Sequence, residues 1–184
     1  MILNIDATSN SGAVRGNDGE YVTIGGMEIR DGKFSEEVEF TGATGYGLLI
    51  SDGTGGHGNG VVWMDDGASL VNTGNGRTYL FRDGIVEQLG AGGEDEDAVT
   101  GLAYKLQEGD ILLICSEGLV DVVNDDYLEY FLMSSASPAE ELAEWAMENG
   151  STDNISVIAA RVGGGMFGDG DEVPDDDGRF DAWA

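Results

Sequence analysis

Lysine occurs only twice in these 184 residues, at Lys33 and Lys105, and arginine supplies the rest of the eight cations. Against them stand 36 carboxylates, for a formal net charge of −28. So few cations exclude a nucleic-acid-binding surface, because phosphate binding relies on clustered Lys and Arg that release counterions. An anionic membrane surface is excluded on the same ground. Cysteine occurs once, at Cys115, so no intrachain disulfide can form. It lies in the apolar run 111–115 and reads as a buried, inert thiol rather than a nucleophile. Proline occurs only twice. No apolar run approaches the ~20 residues that a membrane helix needs. The first ten residues carry Asp6 and no cation, unlike a secretory leader, and this points to a cytoplasmic protein.

What is present supports a folded chain. Hydrophobic residues make up 41 %, enough for a packed core, so wholesale disorder is not expected despite the charge. The length suits one domain. A surface this acidic repels itself in dilute buffer and is screened by salt. Two readings of the charge follow: adaptation to the salt-rich cytoplasm of a halophilic organism, or an acidic protein that binds divalent cations. The scarcity of lysine favours the first.

Glycine is abundant, at 31 residues, and it separates short apolar runs, the pattern of strands and tight turns. Strands are predicted over 21–24, 46–51, 69–72, 78–82, 85–89, 111–116 and 155–162. Asp83-Gly84 between two of them signals a hairpin. One helix is predicted over 125–133. A second starts at Ser137 as N-cap with Pro138 in the first turn and stops at Gly150. The fold class is α+β, with strands dominant. Residues 90–98 read as a flexible acidic loop. Residues 163–184 mix glycine, acids and isolated aromatics without a period, so a domain over 1–162 is followed by an acidic, Gly-rich tail. Phe167, Phe180 and Trp183 could anchor that tail.

Three segments place carboxylates at the ends of apolar strands. Leu48 to Ser51 leads into Asp52-Gly53-Thr54-Gly55-Gly56-His57. Leu112 to Ser116 leads into Glu117-Gly118-Leu119-Val120-Asp121. Ser151-Thr152-Asp153-Asn154 leads into Ile155-Ser156-Val157. Carboxylates at strand ends beside open carbonyls suit a hard metal ion, although an acid followed by glycine is also an ordinary turn.

In this order the segments resemble the motifs of the PP2C-type metal-dependent protein Ser/Thr phosphatases. Ser51 to His57 is similar to their Asp-Gly-x-Gly-Gly-His block, and Asn72 to Leu80 to their Asn-x-Gly-Asp-Ser-Arg-x-Tyr-Leu strand. Leu106 to Asp121 is similar to the block ending Ser-Asp-Gly-Leu-x-Asp. Ser151 to Val157 is similar to the closing Asp-Asn-Ile-Thr-Val block, and Ala13 to Asp18 echoes the opening Arg-x-x-Asn-Glu-Asp block. The resemblance implies a PP2C-like β-sandwich with few helices. It also implies a dinuclear Mg²⁺ or Mn²⁺ site whose activated water attacks the phosphorus of phosphoserine or phosphothreonine. Asp52 would bridge the two metals, the Gly53 carbonyl would bind one, and Glu117 and Asp153 would hold the other. Arg15 would grip the substrate phosphate, and Asp18 or Glu20 would lie in the outer shell. His57 matches no metal ligand of the family.

The chain departs from the pattern at several places. Glu117 and Asn75 stand where the family has Asp, and the opening block is one residue short. Only 59–68 separate the Gly-rich loop from the next strand, where the family carries a long helix pair. The expected consequence is an apolar sheet face covered by the tail, a second copy in a homo-oligomer, or a protein partner. The alternative to a phosphatase acting on phosphoprotein substrates is a catalytically inactive module that binds or builds an assembly.

Overall fold

The computed structural model describes residues 1–10, 20–39, 45–52, 57–64, 67–89, 103–165 and 167–168, with the backbone alone at 52, 57, 63, 64, 73 and 103. Its strands are β1 (Ile2–Asn10), β2 (Tyr21–Ile24), β3 (Met27–Ile29), β4 (Gly32–Glu39), β5 (Tyr46–Asp52), β6 (His57–Met64), β7 (Gly67–Thr73), β8 (Arg77–Arg82), β9 (Ile85–Leu89), β10 (Ala103–Lys105), β11 (Ile111–Cys115) and β12 (Ile155–Val162). Three helices lie between the last two strands: α1 (Glu117–Val120), α2 (Asp125–Ser134) and α3 (Pro138–Glu148). Sheet I runs β4-β1-β12-β11-β8-β9 and sheet II runs β10-β7-β6-β5-β2-β3. Both are antiparallel throughout.

The period-2 alternation of the strands builds a core between the sheets. Leu3, Ile5 and Ala7 of β1, Leu112 and Ile114 of β11, and Ile158 of β12 meet Val22, Leu48, Ile50, Val61 and Leu70 of sheet II. The opposite face of sheet I is apolar too. Leu113, Cys115, Val157 and Ala159 pack under Leu119, Leu128, Leu132, Leu142 and Ala146 of the helices. Burial on both faces explains the unbroken apolar runs of β11 and β12. Cys115 is fully buried here, and burial pushes its thiol up to about 12. The hairpin at Asp83-Gly84 is present, with positive φ at both residues (53° and 81°), as a type I′ turn requires.

β1 has no counterpart among the predicted strands. It alternates apolar Leu3, Ile5 and Ala7 with polar Asn4, Asp6 and Thr8, yet both sets are buried. The polar set lies on the helix side. Ser137 precedes α3 as predicted but makes no side-chain cap bond. Instead the Ala139 N–H donates to Asp6 Oδ2 at 2.9 Å, so a carboxylate from β1 serves one of the orphan donors of the helix. Lys33 on β4 pairs with Glu140 and Glu144 of the same helix.

Burial pushes the Asp6 carboxyl up to about 6, against the pull of the Ala139 and Glu140 backbone N–H groups, and the Glu140 and Glu141 carboxylates add to the rise. A carboxyl whose folded value lies above its unfolded value binds a proton on folding. Its ionised form therefore costs stability above about pH 6, and the cost fades as pH falls toward 4. The Asp6→Asn variant is expected to gain on the wild type by on the order of 2–3 kcal/mol between pH 4 and pH 7. Urea unfolding of both proteins across that range checks it, and a constant difference would refute it.

The packed chain runs on beyond Val162. The Gly163 N–H donates to the Ile2 carbonyl at 3.0 Å. Asn4 Nδ2 donates to the carbonyls of Gly163 (3.1 Å) and Gly165 (2.7 Å). This turn delivers Phe167 into the helix-side core, where it is 6 % exposed. Phe180, Trp183 and the predicted acidic loop 90–98 lie outside the described residues.

Among the described residues all three helices lie on sheet I. The outer face of sheet II carries Thr23, Gly47, Leu49, Ser51, Gly58, Gly60, Val62, Ser69 and Val71 by strand alternation. None of the large exposed hydrophobics among the described residues comes from this face. Its larger apolar residues, Leu49, Val62 and Val71, are half-buried, and Leu49 lies across its strand partner Gly60. A Cβ at Gly60 would stand 2.5 Å from Leu49 Cδ2 and 2.5 Å from the Leu48 carbonyl.

Candidate metal centre

Strand register gathers four of the five sequence motifs at one end of the sandwich. In sheet II, Tyr21 pairs with Ser51, Asp52 with His57, and Gly58 with Thr73. In sheet I, Cys115 pairs with both Arg77 and Val157, and Asn10 pairs with Ile155. The last residue of β5, the link from β7 to β8, the exit of β11 and the entry to β12 therefore share one edge. Asp52 is delivered there because its strand ends there.

A buried polar network ties the two sheets together at this edge. Asn59 of β6 reaches across the sandwich, and its Nδ2 donates to the carbonyls of Arg77 (2.9 Å) and Cys115 (3.1 Å). Its strand partner Asn72 donates to the Gly76 carbonyl at 3.2 Å. Both are nearly inaccessible to solvent, at 3 % and 5 %. Buried amides that bond backbone carbonyls fix loop positions better than apolar contacts, because bond geometry is directional.

Ser116 joins the two acid-bearing segments of sheet I. Its N–H donates to the Ser156 carbonyl (3.0 Å), its hydroxyl donates to the Asn154 carbonyl (3.3 Å), and the Ser156 N–H donates back to the hydroxyl (2.9 Å). Ser151 Oγ donates to the Gly118 carbonyl at 2.8 Å. Glu117 thus sits between two residues that touch the segment carrying Asp153. Gly118 permits this approach, since a Cβ there would come within 2.3 Å of the Asn154 carbonyl oxygen. Gly118→Ala is expected to force the segments apart and to cost about 1–3 kcal/mol, as overpacking does. Chemical denaturation measures it, and a loss under about 0.5 kcal/mol would show that the backbone yields freely.

Glu117 is exposed at the start of α1, and Asp153 is half-buried with its Oδ1 accepting from the Asn154 N–H at 2.9 Å. Asn75, on the link from β7 to β8, donates from Nδ2 to Glu117 Oε1 at 3.1 Å. Of the residues singled out in the sequence, the structure brings Glu117, Asp153 and the backbone of Asp52 to the same edge. Arg15, Asp18 and Gly53 lie outside the described residues, as do the side chains of Asp52 and His57. Glu20 stands half-buried immediately before β2. Among the described residues no three acidic, His or Cys side chains gather closely enough to hold an ion. Glu117 and Asp153 are nonetheless hard oxygen donors on anchored loops, the donor chemistry that Mg²⁺ and Mn²⁺ take, so they fit such an ion. Asn59, Ser116 and the Asn75 contact were not singled out as site features. Asn59 carries no local signal in the sequence, because the glycines on either side of it make its strand look like a loop.

A two-sheet sandwich with helices on sheet I and acids at one edge defines the class: the fold is that of the PP2C-type protein phosphatases, in a shortened and divergent form. Particular relatives bear this out. The serine/threonine phosphatase PstP/Ppp of Mycobacterium tuberculosis superposes with a TM-score of 0.69 at 19 % identity, over 89 % of this chain and all of that one. A structure of the PstP catalytic domain in complex with two manganese ions gives 0.63 at 20 % identity, over 88 % and 99 %. The S. agalactiae serine/threonine phosphatase gives 0.66 at 14 % identity, over 88 % and 100 %. In sequence, full-length M. tuberculosis PstP is 26 % identical over 137 residues, spanning 55 % of this chain. The match takes in about a quarter (26 %) of PstP's own length. No protein-family model matches the chain.

Proposed function

We propose that this chain is a metal-dependent phosphatase acting on phosphoserine and phosphothreonine in protein substrates, in a salt-rich cytoplasm. The observation that carries the reading is the strand register, which gathers the end of β5 with Asp52, the exit of β11 with Glu117 and the entry to β12 with Asp153 at one edge. Asp52, the Gly53 carbonyl, Glu117 and Asp153 would hold two Mg²⁺ or Mn²⁺ ions. When bound, such ions supply a nucleophilic water near neutral pH and positive charge for the phosphoryl oxygens. Arg15 would bind the phosphate through its two-pronged guanidinium and orient it for in-line attack. The Asn59 and Ser116 networks keep the loops that bear the acids in register, so little reorganisation is needed when substrate arrives.

The net charge of −28 repels an anionic substrate. Salt screens that repulsion within about 10 Å at 0.1 M and within about 3 Å at 1 M. The test is therefore hydrolysis of p-nitrophenyl phosphate in molar KCl, with Mn²⁺ and with EDTA. Turnover that requires Mn²⁺ supports the reading. A folded protein, verified by circular dichroism, that shows no rate above buffer with Mn²⁺ overturns it in favour of the inactive module.

A further inference from the structure

The contact between Asn75 and Glu117 joins two elements that the chain separates by 42 positions. Asn75 lies on the three-residue link between β7 and β8, and the carbonyl of the next residue, Gly76, is held by Asn72. Glu117 opens α1, whose backbone is fixed on both sides by Ser116 and Gly118. With both backbones anchored, the freedom left to Glu117 is that of its side-chain torsions. Its carboxylate is exposed, and a glutamate has one more torsion to lose than an aspartate.

We propose that Asn75 is a positioning residue: its amide donates to one oxygen of Glu117 and leaves the other directed at the metal edge. The choice of amide over acid at this position follows from charge. A carboxylate at 75 would face the Glu117 carboxylate at hydrogen-bond distance, and two such groups need a shared proton or a cation between them. The amide supplies a donor in place of that cation, so the pair is satisfied without a further metal. This rests on the reading above, in which Glu117 is a metal ligand.

The test is Mn²⁺ titration calorimetry in molar KCl on wild type, Asn75→Ala and Asn75→Asp. Asn75→Ala is expected to keep the wild-type stoichiometry and to bind Mn²⁺ about tenfold more weakly, the usual scale for losing a group that orients a ligand. Asn75→Asp is expected to take up one Mn²⁺ more per chain than wild type, a readout that a merely structural asparagine would not move. A wild type that takes up no Mn²⁺ overturns the metal reading and this role together. A wild type that binds Mn²⁺, with Asn75→Ala within twofold of it and Asn75→Asp at the same stoichiometry, overturns the positioning role alone.

Discussion

Asp52→Asn is expected to lower Mn²⁺-dependent hydrolysis by on the order of 10²–10³-fold, equivalent to about 3–4 kcal/mol of lost transition-state stabilisation. Asp52 ends β5 and pairs with His57 across the hairpin, so its place at the edge is set by backbone hydrogen bonds that the substitution leaves intact. Asparagine keeps the shape and removes the charge. A residue proposed to bridge two divalent ions loses the interaction that holds both, whereas loss of Glu117 or Asp153 leaves the other acid in place. The thermal midpoint should stay within a few degrees of wild type, because asparagine has nearly the volume of aspartate and keeps the backbone pairing with His57. Equal rates for the variant and the wild type, both dependent on Mn²⁺, would remove Asp52 from the site.

At the opposite end of the sandwich, Arg82→Met is expected to cost about 3–5 kcal/mol of folding stability. Arg82 Nε and Nη2 donate to the two oxygens of Asp110 at 2.7 and 2.6 Å, and Nη2 also donates to the Lys105 carbonyl. Asp110 is 2 % exposed and accepts a further bond from the Gln107 N–H at 2.7 Å. Removing the guanidinium leaves a buried carboxylate without its counter-charge, which costs more than the intact pair contributes. Adding Asp110→Asn to Arg82→Met should recover part of the loss, since the orphaned charge is gone while the amide oxygen still accepts from Gln107. Urea unfolding of the wild type and the two variants reads this directly. A loss below about 1 kcal/mol in the single variant would place the pair with ordinary surface salt bridges.

These two sites differ in how far the sequence revealed them. Asp52 was legible because its signal is local: a buried strand, then an acid, then glycines. The same holds for β8 and β9 around Asp83-Gly84, and for α3 from Pro138. The pairing of Arg82 with Asp110 was not legible, although the motif block containing Asp110 was recognised. Nothing between them indicates that β8 and β11 are neighbours. β6 was passed over because Gly58, Asn59 and Gly60 at its start look like a loop, and only the neighbouring strands make that stretch a strand.

The amino-acid sequence by itself determined the elements whose cause is short-range: apolar alternation, turn glycines, a helix start, and acids set at strand ends in a recognisable order. It also determined the net charge of −28, which follows from composition alone and is the same whatever the fold. Only the tertiary structure decided that Asp6 caps a helix 133 residues away, that Asn59 ties two sheets together, and that Asn75 meets Glu117. Each of these is a polar group made to seek a partner by what the fold brings against it. The identity of that partner depends on register and on the packing of layers, which no local stretch of chain contains.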